Sequence, residues 1–166
     1  MQLSASGLLP GIAVIAAGIA LVTDLRSRRI PNWLTGSTLL IGLIANIYVA
    51  GVQGGLASLQ GAALGLAILL PFYIFRTMGA GDVKLLAAFG AVLGPQMLIG
   101  VAVFASIVGG IQALFVLRRV GRLSLTVHQL VFMRVLPTRS GAKAPYAVAL
   151  ASGLCIALAH PLVLTF

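Results

Sequence analysis

Only two acidic side chains, Asp24 and Asp82, occur among 166 residues, against eleven Lys and Arg. Each stands where an apolar run meets a basic segment. With a net charge of +9, the chain needs neither of them for solubility. Two carboxylates held close together cannot both ionise easily, so they share one proton and can do acid–base chemistry on a water molecule. The chemistry these residue types suggest is that of a carboxylate pair.

The surroundings of each acid allow a plainer role as well. Asp82 lies in Met78-Gly79-Ala80-Gly81-Asp82-Val83-Lys84-Leu85. Two glycines before an acid that opens an apolar run permit a tight turn with exposed backbone, against which an extended peptide can lie. The same Asp82 also suits a helix N-cap, accepting from backbone N–H groups. Asp24 closes the first apolar run, where a helix dipole disfavours negative charge. Its plain role is a partner for Arg26, Arg28 or Arg29, although an exposed pair contributes only about 0–1 kcal/mol. Acids buried near a membrane are costly and usually functional.

The elements that carry these acids are membrane spans. The chain is 60% apolar and 8% charged, with twenty glycines, where soluble folds carry about 25% charged residues. An all-α, polytopic membrane protein with six transmembrane helices is expected, forming a single membrane-embedded domain over 1–166. The spans run from about Leu3 to Val22, Trp33 to Ala50, Leu56 to Phe75, after Asp82 to Gly94-Pro95, Met97 to Leu117, and Pro145 to Phe166. The fourth and fifth have few residues for two crossings, so they must be short or lie in a thinned bilayer.

Six crossings place the loops 24–32, 76–84 and 118–144 on one side, and those loops hold all eleven basic residues. The turns at 51–55 and 94–96 hold none. The positive-inside rule makes the basic side cytoplasmic, puts both termini outside, and sets Asp24 and Asp82 on the same side. Leu123, Val127, Leu130 and Val131 recur at helical spacing in the basic loop 118–144, which reads as an interfacial amphipathic helix in contact with lipid. Leu123, Leu125 and Val127 also alternate, leaving a short strand open, and His128 reads as an interfacial polar residue. Pairs such as Gly61/Gly65 and Gly90/Gly94 would allow close helix contact. No stretch could build the basic polar domain that nucleic-acid binding needs. The lone Cys155 excludes an intrachain disulfide or a cysteine zinc cluster. The basic cluster follows the first apolar run instead of preceding it, unlike a secretory signal.

Asp24-Leu-Arg-Ser-Arg-Arg-Ile-Pro-Asn32 after a first span, and Gly79-Ala-Gly-Asp82-Val-Lys84-Leu85 before a later one, resemble the two signature motifs of type IV prepilin peptidases. These are intramembrane aspartyl proteases of the Gly-x-Gly-Asp type. The order of the motifs, the six spans and the length are similar to the short branch serving Tad/Flp pilus systems. Ala144-Pro145-Tyr146 at the last span is a weaker similarity. Longer members carry a cytoplasmic domain with paired Cys-x-x-Cys motifs and also methylate the new pilin N-terminus. This sequence has one cysteine, so peptidase activity without N-methylation is expected.

The resemblance implies that Asp24 and Asp82 form a catalytic dyad, that Gly79 and Gly81 shape a substrate-facing turn, and that Lys84 marks a further site position. Two residues beyond Asp82, Lys84 does not share its helical face and is expected to reach for the interface or a lipid phosphate. No metal or other cofactor is implied. The implied partner is a prepilin or pseudopilin with a basic leader and an apolar helix, cut at the cytoplasmic boundary of a bacterial inner membrane, commonly after a glycine. A basic enzyme face does not attract a basic leader, so recognition is expected to rest on the substrate helix and an acid within it. Helix ends distinguish the two acids: Asp82 at a positive end is expected to carry the charge, and Asp24 at a negative end the proton. A proton- or ion-coupled transporter using both acids as a relay is the alternative of another class, and a non-catalytic assembly scaffold is a third. The sequence is silent on oligomeric state.

Overall fold

The computed structural model describes residues 2–75, 78–119 and 146–160. Among them every regular element is an α-helix: α1 (Gln2–Ser27), α2 (Asn32–Ile74), α3 (Ala80–Arg119) and α4 (Tyr146–Ala159). The first three are long and apolar enough to cross a membrane, and α4 is shorter. The amphipathic helix or strand expected in 118–144, with His128, falls almost wholly outside the described residues, as does the end of the last expected span.

Two of these helices are folded back on themselves. Helical dihedrals fail at Ala50 and Gly51 in α2, and at Gly94 in α3. Gly51 and Gly94 have φ of 60° and 77°, a region that side chains with a Cβ rarely adopt. Beyond the break, Gly54 lies against the Asn46 carbonyl and Gly55 against the Ile47 side chain. Residues eight apart in a straight helix would be about 12 Å apart along the axis. Gly90 likewise meets Leu98 across the Gly94 break. The reversal in α2 is tighter than the sequence suggests, because Val52 to Gly55 belong to the returning helix and only Ala50-Gly51 form the corner.

Such a corner leaves carbonyls without helical donors. Pro95 has no N–H to give to Ala91, four residues earlier, and the turn at Gly94 interrupts the next bonds. Both halves of α2 supply the missing donors. Asn46 Nδ2 reaches the Ala91 and Val92 carbonyls at 3.0 Å each, and Ser58 Oγ reaches Ala91 O at 2.7 Å. Without water in the bilayer core, such donors must come from the protein.

The returning half of α2 runs antiparallel to the start of α3. Gly61 packs against Gly90, and a Cβ at Gly65 would lie 2.7 Å from the Leu86 carbonyl oxygen. The expected close contact of these small residues is therefore present, backbone to backbone. The first half of α3 is the centre of the molecule: Val83, Leu85 to Phe89, Ala91 and Val92 are all buried. From Ala80 to Leu93 it is about 21 Å long at helical rise. This is shorter than a hydrocarbon core of about 30 Å, and from Leu85 to Val92 the helix is buried in protein, with no lipid to match. The outer faces stay apolar, with Ile15, Tyr48, Val52 and Ile74 exposed.

Candidate active site

The corners at Gly51 and Gly94 mark one end of the bundle, and the two acids lie at the other. Helix α1 ends at Ser27, and Arg28 takes a left-handed φ of 51° with its N–H on the Asp24 carbonyl at 2.8 Å. Such a residue after the last helical turn is an ordinary helix stop, usually filled by glycine. The turn sends Ile30, Pro31 and Asn32 toward the start of α3.

Two contacts join that segment to the glycine turn. A Cβ on Gly81 would lie 3.0 Å from Ile30 Cβ, so the missing side chain permits the approach. Lys84 Nζ donates to Asn32 Oδ1 at 2.9 Å. Lys84, expected to reach for the interface or a lipid phosphate, is exposed and meets a partner inside the first motif. Asn32, which opens α2, accepts this bond with its side chain. The motifs around Asp24 and Asp82 are in this way held side by side.

Asp82 occupies the first turn of α3 but is not its cap residue. Its Oδ2 reaches back to the Gly79 N–H at 3.3 Å, while its own N–H bonds the Gly79 carbonyl at 3.2 Å. This is one half of a capping box: the acid accepts from the N–H three residues before it. Glycine has no side chain to make the other half and offers its carbonyl to the Asp82 N–H. A Cβ on Gly79 would stand 3.2 Å from the same Oδ2. Both glycines therefore control the acid's surroundings, Gly79 beside the carboxylate and Gly81 beside the neighbouring segment.

Asp24 is 9% exposed, the one charged side chain among the buried described residues. Its Oδ2 accepts from the backbone N–H of Ala147 at 3.4 Å. Ala147 belongs to the first turn of α4, so this acid faces a helix start instead of the adjacent arginines. The charge assignment based on helix ends loses its footing here. Asp24 does close α1, but it also faces the positive end of α4, much as Asp82 lies at that of α3. The sequence could not reveal this, because 123 residues separate Asp24 from Ala147.

Tyr146, beside Ala147, completes the neighbourhood. It is half-buried, with its ring against Gly109 of α3. Asn32 and Tyr146 are the residues that sequence reasoning underweighted. The signals were the end of the first motif and the weak Ala-Pro-Tyr similarity. Two acids at one end of a bundle, beside backbone left accessible by glycine, make an arrangement able to activate water against a peptide.

The type IV leader peptidase family matches the chain over residues 11–114. That range includes both acids and ends before α4. A prepilin leader peptidase/N-methyltransferase of Legionella pneumophila is 39% identical over 105 residues, covering 60% of this chain and 37% of that protein. Proteins of the same description from Pectobacterium carotovorum and Dickeya chrysanthemi are 35% and 34% identical, over 63% and 72% of this chain. The chain spans 43% and 47% of those two, less than half the length of any of the three. No solved structure matches.

Proposed function

The chain belongs to the type IV leader peptidase family, and from that membership we propose that it is an intramembrane aspartyl endopeptidase removing the basic leader of Flp-type prepilins. The observation that carries the reading is the joining of the two acid-bearing motifs at one end of the bundle, through Gly81 on Ile30 and Lys84 on Asn32. Asp24 and Asp82 are the catalytic pair. One carboxylate takes a proton from water as its oxygen attacks the scissile carbonyl, and the protonated partner hydrogen-bonds that carbonyl oxygen. Collapse of the tetrahedral intermediate breaks the C–N bond, and the leaving amine takes up a proton from the pair.

Gly79 and Gly81 keep the turn beside Asp82 open to an extended substrate backbone. Lys84 acts through Asn32, holding the first motif against the second. The protein crosses a bacterial inner membrane six times, each half of α2 and α3 forming one crossing. Arg26, Arg28, Arg29, Lys84, Arg118 and Arg119 lie at the end that holds the acids, which supports a cytoplasmic site and termini outside. A transporter relay is less well supported, since it calls for acids along a path through the membrane.

The test is co-expression with a Flp-type prepilin, reading the pilin's intact mass. The wild type is expected to remove the leader, and Asp24→Asn and Asp82→Asn to leave it in place at equal expression. Cleavage by both variants would end the dyad mechanism. The same masses report whether a methyl group is added to the new N-terminus.

A further inference from the structure

We propose that the groove between α1 and the first half of α2 receives the apolar helix of the substrate, recognised through the Thr38 hydroxyl and the open glycines of α1. That the visiting helix is a prepilin's rests on the peptidase reading; the groove itself stands on contacts in this chain. Its walls are Ile12, Ile15 and Ile19 of α1, and Trp33, Thr38 and Ile41 of α2. They enclose about 240 Å³ over roughly two helical turns. Ile15 and Trp33 are each 65% exposed, whereas Thr38 is only 3% exposed. The Thr38 hydroxyl has no hydrogen-bond partner among the described residues. The carbonyl four residues before it, that of Leu34, already accepts from Ser37 Oγ at 3.1 Å. Polar side-chain atoms sealed within the described residues all have partners, so this hydroxyl is reached from the groove.

A buried hydroxyl without an acceptor is costly in apolar surroundings, and a lipid tail has no acceptor to give. A helix has one, in a small polar side chain or in a backbone carbonyl that small residues bring close. Gly11 and Gly18 stand four residues before and three after Ile15, and an added Cβ at either would meet nothing within 4 Å. Elsewhere in the bundle Gly42, Gly61 and Gly153 each hold another helix close. The α1 glycines are therefore open to a helix that is not among the described ones. The end of the groove identifies it. Trp33 lines the groove, Asn32 takes Lys84, and Ile30 touches Gly81 beside Asp82. A substrate helix lying in the groove thus has its preceding residues at the glycine turn, beside the acids. A second copy of this chain would leave that continuity without a role.

Disulfide trapping in native membranes tests the docking. In the full-length chain carrying Cys155→Ala and Asp24→Asn, Ser37→Cys is paired with single cysteines along the apolar helix of a co-expressed Flp-type prepilin. Ser37 is exposed and lines the groove. Oxidation is expected to join Ser37→Cys to prepilin positions three or four residues apart, and to leave Ile107→Cys, at an exposed position on α3, unjoined. Thr38→Val keeps the shape and removes the hydroxyl. Its thermal unfolding midpoint should stay at the wild-type value, because no internal bond is lost. In the otherwise wild-type enzyme its KM for prepilin should rise about fivefold or more with kcat within about twofold, the pattern of lost ground-state binding. Gly18→Leu should raise KM likewise by crowding the docked helix. Ser37→Cys joined to a second copy in place of the prepilin overturns the proposal, as does equal joining at Ile107→Cys. A KM unmoved in both Thr38→Val and Gly18→Leu leaves the groove to lipid and overturns it too. Prepilin cut by the wild type but not joined at Ser37→Cys overturns the docking and keeps the peptidase reading. Prepilin joined at Ser37→Cys but left uncut by the wild type sinks the peptidase reading and supports the docking.

Discussion

Replacing Gly81 by alanine would set a methyl carbon 3.0 Å from Ile30 Cβ, closer than such atoms normally pack. The segment carrying Ile30 and Asn32 must then move away from the turn that carries Asp82. A shift of a fraction of an ångström between the two motifs is expected to lower prepilin cleavage by between about ten- and a hundredfold with little loss of fold. Comparing kcat/KM with the thermal unfolding midpoint in detergent checks this; an unfolded variant would show the turn to be structural alone. Lys84→Met removes the bond to Asn32 and keeps the apolar stem. It should weaken cleavage less than Asp24→Asn or Asp82→Asn, each expected to cost about 10³-fold or more. Equal losses would place Lys84 in the chemistry itself.

The elements are held by two devices, polar donors at one corner and glycine contacts along the helices. Asn46→Leu leaves the Val92 carbonyl without its side-chain donor and the Ala91 carbonyl with Ser58 alone. It is expected to destabilise the protein by about 1 kcal/mol, the usual size for such bonds between membrane helices. Gly61→Ala is more severe, since its Cβ would overlap the Gly90 backbone, which has no side chain to rotate away. A loss of about 2 kcal/mol or more is expected from that overpacking. Gly18→Ala, with nothing within 4 Å of the added carbon, should be near neutral. Unfolding in mixed micelles separates the three, and similar stabilities for Gly61→Ala and Gly18→Ala would show that α2 and α3 do not rely on backbone contact.

Across the whole molecule, the arrangement predicts that the corners and the acids face opposite compartments. With Cys155 replaced by alanine, a cysteine at the exposed Val52 should react with an impermeant maleimide from outside the cell, and one at the exposed Arg28 only after the membrane is opened. Labelling of both from one side would break the six-crossing reading. Composition and charge placement made the helical, membrane-spanning class legible, because hydropathy and the positive-inside bias are local in sequence. The break at Gly94-Pro95 and the motifs around Asp24 and Asp82 were legible for the same reason: glycine and proline act through their own dihedrals, and a motif is read along the chain. The cap role of Asp82 was nearly so, misplaced by three residues along one helical turn. Only the tertiary structure decided that Lys84 binds Asn32, that Asn46 and Ser58 satisfy a corner in another helix, and that α4 brings a backbone N–H to Asp24. Those contacts join residues 33 to 123 positions apart, and no local pattern encodes which helix faces which; that follows from where glycines let backbones meet.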